Sequence, residues 1–215
     1  MLACKQLTKT FTRGRQQVPV LRGVDLAVAQ RECVAIRGSS GSGKTTLLLS
    51  LGAMLSPDAG RVEFAQQDVY ALSSADRSRL RNQQLGFVFQ TFHLIPYLTV
   101  LENVMVVTRN QSLSSAAREL LTRLGLDHRL DHRPAALSAG EQQRTAIARA
   151  MINGPKLILA DEPTGNLDAE NSAEVYRALG EFRDDGGSVL VVTHGDAADG
   201  IADRSLLLNE GTLIA

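Results

Sequence analysis

"ECVAIRGSSGSGKTTLLLSLGAML", Glu32 to Leu55, decides the fold. It opens as a short apolar run with β-branched residues that stops at Gly38, and it closes with the length and leucine content of a helix. Between strand and helix, Gly38, Ser39, Ser40, Gly41, Ser42, Gly43, Lys44 and Thr45 follow the pattern G-x-x-x-x-G-K-[ST], with Thr46 next. The pattern has a mechanical reason in that setting. Glycines let backbone N–H groups turn inward around phosphate oxygens, and a helix N-terminus adds roughly half a positive charge. Lys44 then reaches the outer phosphates, and the Thr45 hydroxyl binds Mg²⁺. A merely flexible glycine-rich loop is the alternative, and the flanking strand and helix argue against it. Pro57 and Gly60 are expected to break the helix.

Further along, "RVEF" and "LGFVFQ" predict strands, the second ending at Gln90. From about Thr91 to Met151 strand signals thin out, and "SLSSAARELLTRLGL" has a serine-rich start and a leucine stripe at helical spacing, which predicts a helical insert. "KLILADE" is a continuous apolar run stopping at Asp161 and Glu162, as expected for a strand buried on both faces of a parallel sheet. "DAENSAEVYRALGEFRDDGG" predicts a helix with Asp168 near its start and Gly186 and Gly187 past its end. "SVLVVTH" predicts another buried strand, and "SLLLNEGTLIA" a hairpin turning at Glu210 and Gly211. Alternating strands and helices imply an α/β fold, whose sites lie beyond the carboxyl ends of the strands. Gly38, Gln90, Asp161 and His194 all fall at such ends and form a candidate site.

Composition narrows the partners. With 215 residues, 44% of them hydrophobic, the chain can bury a full core as one domain. Lys plus Arg and Asp plus Glu balance at 23 each, so no whole-molecule positive field would draw in nucleic acid or an acidic membrane surface. Cys4 and Cys33 lack metal-ligand spacing and suit small buried hydrophobes in a reducing compartment, here the cytoplasm. No apolar run approaches the roughly 18 residues needed to span a bilayer, so any membrane role is expected to come through another chain. "DHRLDHR" places His128 and His132 four apart beside Asp127 and Asp131. At helical spacing these would face a metal, but charged loop residues ahead of Pro134 are the simpler reading.

The acidic pair suggests chemistry. Asp161 falls where a phosphate-loop protein needs a carboxylate for the Mg²⁺ shell, and Glu162 can act as general base or orient an attacking water. His194 has the character of a neutral donor to the γ-phosphate, although a histidine at a strand end is often structural.

"GSSGSGKTT", Gln90, "LSAGEQQR", "LILADE", "GNLD" and "VTH", in this order, resemble the phosphate loop, Q-loop, signature, Walker B, D-loop and switch histidine of an ATP-binding-cassette (ABC) ATPase. The resemblance covers essentially the whole chain. "QTFHLIPYLTVLENV" with "EPTGNLD" is similar to the ATPase subunits of lipoprotein-releasing and macrolide-exporting transporters and their cell-division relative. The resemblance implies an α/β P-loop NTPase (RecA-like) core with a mainly parallel sheet, an N-terminal antiparallel β portion and an inserted α-helical subdomain. Residues 1–90 and 152–215 would form the nucleotide-binding core and 91–151 the helical subdomain of a single domain, 1–215. It further implies ATP and Mg²⁺ as cofactors, ATP hydrolysis, a homodimer closed head to tail around two ATP molecules, and an integral membrane permease that holds the chain at the inner face of the cell membrane. Ser138 and Gly140 of one copy would face the γ-phosphate held by Lys44 of the other. Gln90 would touch Mg²⁺ and begin the hinge to the insert.

Several residues keep two readings. Phe11 matches the family's adenine-stacking aromatic, or packs in a core. Asp168 belongs to the D-loop, or caps the following helix. The apolar residues of "FHLIPYLTVLENV" line a groove for a short permease helix, or are ordinary core. The signature departs from the commoner family form, with Ala139 for Gly and Glu141 for Gln, which bears on tuning of turnover. Rival readings are a division-type ATPase that transmits force without moving a substrate, a DNA-repair ABC ATPase, for which no sustained heptads or Cys clusters are present, and a small-molecule kinase, which leaves "LSAGEQQR" unexplained.

Overall fold

The computed structural model describes residues 1–108 and 110–214. Its strands in chain order are β1 (Leu2–Arg13), β2 (Gln16–Val28), β3 (Cys33–Arg37), β4 (Ala59–Phe64), β5 (Gln67–Asp68), β6 (Leu85–Phe89), β7 (Leu157–Asp161), β8 (Ser188–Thr193), β9 (Arg204–Asn209) and β10 (Thr212–Ile214). The α-helices are α1 (Lys44–Leu51), α2 (Ser74–Gln84), α3 (Val100–Met105), α4 (Ser114–Arg123), α5 (Ala139–Met151) and α6 (Ala169–Asp184). One sheet is antiparallel, in the order β2-β1-β4-β5, and the other runs β10-β9-β3-β8-β7-β6. In the second sheet β9, β3, β8, β7 and β6 are parallel, and only β10 is antiparallel to its neighbour.

The parallel sheet is buried on both faces, which is why its strands are apolar without alternation. Ala35, Ile158, Ala160, Val189 and Val191 enter one core cluster with Val104, Leu121 and Ile147 of the helical segment. Their neighbours Val34, Ile36, Leu157, Leu159, Leu190 and Val192 enter another with Leu2, Leu7 and Leu21 of the antiparallel sheet and Leu47 of α1. Residues 91–151 contain helices and 3₁₀ turns and, among the described residues, no strand. Because their apolar side chains share a cluster with the sheet, they have no separate core.

One local expectation needs correction, one helix was not anticipated, and the loop reading of one charged stretch holds. Helix α1 stops at Leu51, well before Pro57: Gly52 caps it and packs against Phe87, whose ring an added Cβ would approach to 2.5 Å. The N–H groups of Met54 and Leu55 turn back to the Leu49 carbonyl at 3.0 and 3.2 Å, completing the turn. Helix α2, unanticipated from the sequence, has no buried residue and hence no apolar stripe to betray it, although Ser73 caps it by accepting the Asp76 N–H. In "DHRLDHR" the chain makes only a short 3₁₀ turn, Asp127–Arg129, so the helical face that would pair His128 with His132 does not form.

Asn103 shows how the segment after Gln90 is held. Fully buried on α3, it accepts the Ile95 N–H at 2.7 Å and donates to the carbonyls of Ile95, Leu98 and Thr99 at 3.0 to 3.1 Å. One amide thus satisfies a loop that has no ladder of its own. Asn103→Ala leaves those groups unpaired and is expected to cost about 2–4 kcal/mol. Denaturant titration of the two proteins measures this.

Candidate active site

The carboxyl ends of four adjacent parallel strands converge on one cleft. Gly38 follows β3, Asp161 ends β7 with Glu162 next, His194 follows β8 and Gln90 follows β6. The cleft, about 660 Å³, is walled by Ser40, Gly41, Gly43, Lys44, Thr45, Thr46, Gln90, Glu162 and His194, together with Val20 of β2. No side chain caps α1: Gly43 precedes it at φ 106° with no capping hydrogen bond, so the first N–H groups of the helix have no intrahelical partner. Only glycine takes that conformation cheaply, and a Cβ at Gly43 would also lie 2.8 Å from the Val20 carbonyl.

Behind this wall the charges are tightly arranged. Lys44, nearly buried, donates from Nζ to the carbonyls of Gly38 at 2.7 Å and Ser39 at 3.1 Å, and stands 3.4 Å from Glu162 Oε1. The other Glu162 oxygen accepts the His194 backbone N–H at 3.2 Å and lies 2.8 Å from the His194 ring Nδ1. Glu162 reaches both from a left-handed turn at φ 46°, an uncommon conformation for a non-glycine residue. Asp161 is 8% exposed. Burial raises its pKa against the partial opposition of a Thr45 side-chain hydrogen bond, and its Oδ1 has no hydrogen-bond partner. The orphaned carboxylate oxygen, the Thr45 hydroxyl next to its carboxylate and the Gln90 amide on the wall of the cleft are hard-oxygen donors, a type that fits Mg²⁺. Ser42 Oγ, also buried and without a partner, sits under the loop, where a Cβ at Gly38 would meet it at 2.6 Å.

Other sequence candidates lie elsewhere. Phe11, 42% exposed on β1, is not a core residue and does not line the cleft, and Lys9 Nζ lies 5.7 Å from its ring centroid. Ser138 and Gly140 likewise do not line the cleft of their own chain. Ser138 caps α5 in a reciprocal arrangement with Glu141. Gly140 packs so closely on α6 that a Cβ would come within 1.8 Å of Asn171 Oδ1. The same Asn171 donates its backbone N–H and its side-chain amide to Asp168, each at 2.8 Å, and Asp168 caps α6. Asn171 was not legible beforehand, since an asparagine in a helix carries no pattern. A separate groove of about 430 Å³ is lined by His93 and Ile95 of the anticipated segment, and also by Met54, Arg81, Val106 and Arg149. Met54 and Val106 are nearly half exposed. Arg149 donates to the Phe92 and His93 carbonyls at 2.6 Å each, tying α5 to the chain beyond Gln90.

Comparison with known proteins gives the family. A family model described as "ABC transporter" matches residues 21–165. Among solved structures, the chain is similar to MJ0796, a bacterial ABC transporter cassette in dimeric form, with 35% identity and a TM-score of 0.92 over 99% of this chain and 96% of that one. It is also similar to the dimeric post-hydrolysis state of MJ0796 bound to ADP and Pi, with 34% identity and a TM-score of 0.89 over 99% and 96% of the two chains.

The raised pKa of Asp161 sets a sign for stability. A carboxyl whose folded pKa exceeds its unfolded value of about 3.9 contributes most below that value, and the contribution is lost as pH rises through the folded pKa. At neutral pH the charged, buried Asp161 therefore strains the ligand-free fold. Asp161→Asn is expected to raise the ligand-free Tm at pH 7 by a few degrees, with the gain vanishing toward pH 4. Thermal melts across pH check this.

Proposed function

The chain belongs to the ABC transporter family, and from that premise we propose that it binds and hydrolyses ATP as the ATPase subunit of a membrane transporter. The observation that carries the reading is the convergence of Lys44, Glu162 and His194 on one glycine-lined cleft, with the buried, orphaned Asp161 oxygen one residue before Glu162 in the chain. N–H groups of the loop and of the first turn of α1 cradle the phosphates. A triphosphate competes for the Lys44 ammonium, drawing it off the carbonyls and leaving Glu162 to accept a proton from the attacking water. His194, already bonded to Glu162, orients that water against the γ-phosphate. Thr45, Gln90 and Asp161 would hold Mg²⁺. Bound there, the ion neutralises charge on the phosphate oxygens. Phe11, exposed on the β1–β2 hairpin, stacks on the adenine.

The same reading assigns a dimer. Ser138 and Gly140 are not at their own chain's cleft, so α5 is free to present its N-terminus to the triphosphate of a second copy. The MJ0796 cassettes are dimeric, which supports this pairing. No helix of the described residues is long and apolar enough to cross a membrane, and the family reading assigns attachment to a permease. Its short helix docks in the groove beside His93 and Ile95, where Met54 and Val106 leave apolar surface in water. Residues 91–151 act as the helical subdomain that carries part of this docking surface, at the inner face of the cell membrane.

Glu162→Gln is expected to bind Mg-ATP but stall hydrolysis, at least about 100-fold slower, and so to accumulate as an ATP-bound dimer. Light scattering at saturating Mg-ATP reads the mass, and a variant that stays monomeric would refute the shared site or the role of Glu162.

A further inference from the structure

At the start of α5 the chain keeps a carboxylate where an anion is to dock. Glu141 is 8% exposed, and its Oε2 accepts the Ser138 N–H at 2.8 Å while its own N–H donates to the Ser138 hydroxyl at 3.2 Å. Burial opposes its ionisation, but these bonds and the Arg129 guanidinium outweigh burial and hold its pKa below the ordinary carboxylate value. A helix N-terminus carries only about half a positive charge, so a full negative charge in the first turn overturns its sign. Arg129 restores it. Its Nε donates to Glu141 Oε1 at 2.7 Å from the short turn before Pro134, whereas His128 Nε2 stands 3.9 Å from the same oxygen with its side chain 58% exposed. In the commoner family form a neutral glutamine stands at this position and no counter-charge is required.

We propose that Arg129 is a positioning residue of the shared site: it neutralises Glu141 and pins the carboxylate to the cap, so that the Ser138–Gly140 end of α5 meets the partner's triphosphate as a net positive surface. The inference rests on the reading that two copies close around the nucleotide. Without Arg129, a buried, uncompensated anion opposes the γ-phosphate at the same helix end. A glutamine at 141 completes the same cap without the charge, so Arg129 becomes dispensable once Glu141 is replaced.

The test is a double-substitution cycle in the Glu162→Gln parent: Arg129→Met, Glu141→Gln and the two together, with Arg129→Lys as a charge-retaining control. ATP-driven self-association is followed by sedimentation, beside thermal melts without nucleotide. Arg129→Met is expected to weaken association about tenfold, equivalent to about 1.4 kcal/mol, while the double variant recovers to within about twofold and Arg129→Lys stays near the parent. Raising the salt should shrink the Arg129→Met deficit, which lost packing would not. Should Arg129→Met not fold, the double variant carries the test alone, since it must associate as the parent does. A double variant as weak as Arg129→Met, or an Arg129→Met that associates normally, overturns the inference. A parent that fails to associate with ATP sinks the two-copy reading and this inference with it. A parent that associates but shows no coupling between 129 and 141 sinks this inference alone.

Discussion

A carboxylate that closes a strand buried on both faces cannot shed its charge into water. Asp161 sits in that position at the end of β7, and much of the cleft can be understood as a response to it. Thr45 offers a hydrogen bond, Lys44 contributes positive charge, and one oxygen is left without a protein partner. Such a group is tolerated when a cation completes its surroundings. In the proposed function, the strain in the ligand-free fold and the hold on a metal-bound triphosphate have one origin. Glu162, in a left-handed turn just past the same strand, touches both Lys44 and His194.

Much of the fold was legible because the parallel strands advertise themselves. β3, β7 and β8 are unbroken apolar runs, each followed by a residue of different character, and their adjacency in one sheet brings those residues together. Helix α2 was not legible, because a helix that buries nothing leaves no periodic trace. The end of α1 was misplaced for a related reason. Proline is a loud signal and glycine a quiet one, and what fixes Gly52 is the Phe87 ring, a contact thirty-five positions away in the sequence.

Within the site the division falls along similar lines. Residues whose proposed role lies in backbone geometry or in spacing, such as Gly43, Lys44 and Asp161, follow from a local pattern. Those that act through a tertiary neighbour do not. Val20 walls the cleft from the other sheet, Arg129 reaches Glu141 across a turn, and Asn171 meets Gly140 from another helix. Phe11 is intermediate: its exposure removes the core reading, and adenine stacking belongs to the proposed function.

The absence of a side chain at Gly140 has a mechanical meaning as well. The amide of Asn171 fills the space and simultaneously grips Asp168. The two stretches of chain that flank a neighbouring copy's nucleotide in the dimer reading are therefore tied together through Asn171, with Arg144 of α5 bonded to Asn171 and Glu174 of α6, and their spacing is set in the monomer before any encounter. A cassette built this way offers its neighbour one rigid jaw in place of two independent fingers, so alignment of either stretch brings the other into register.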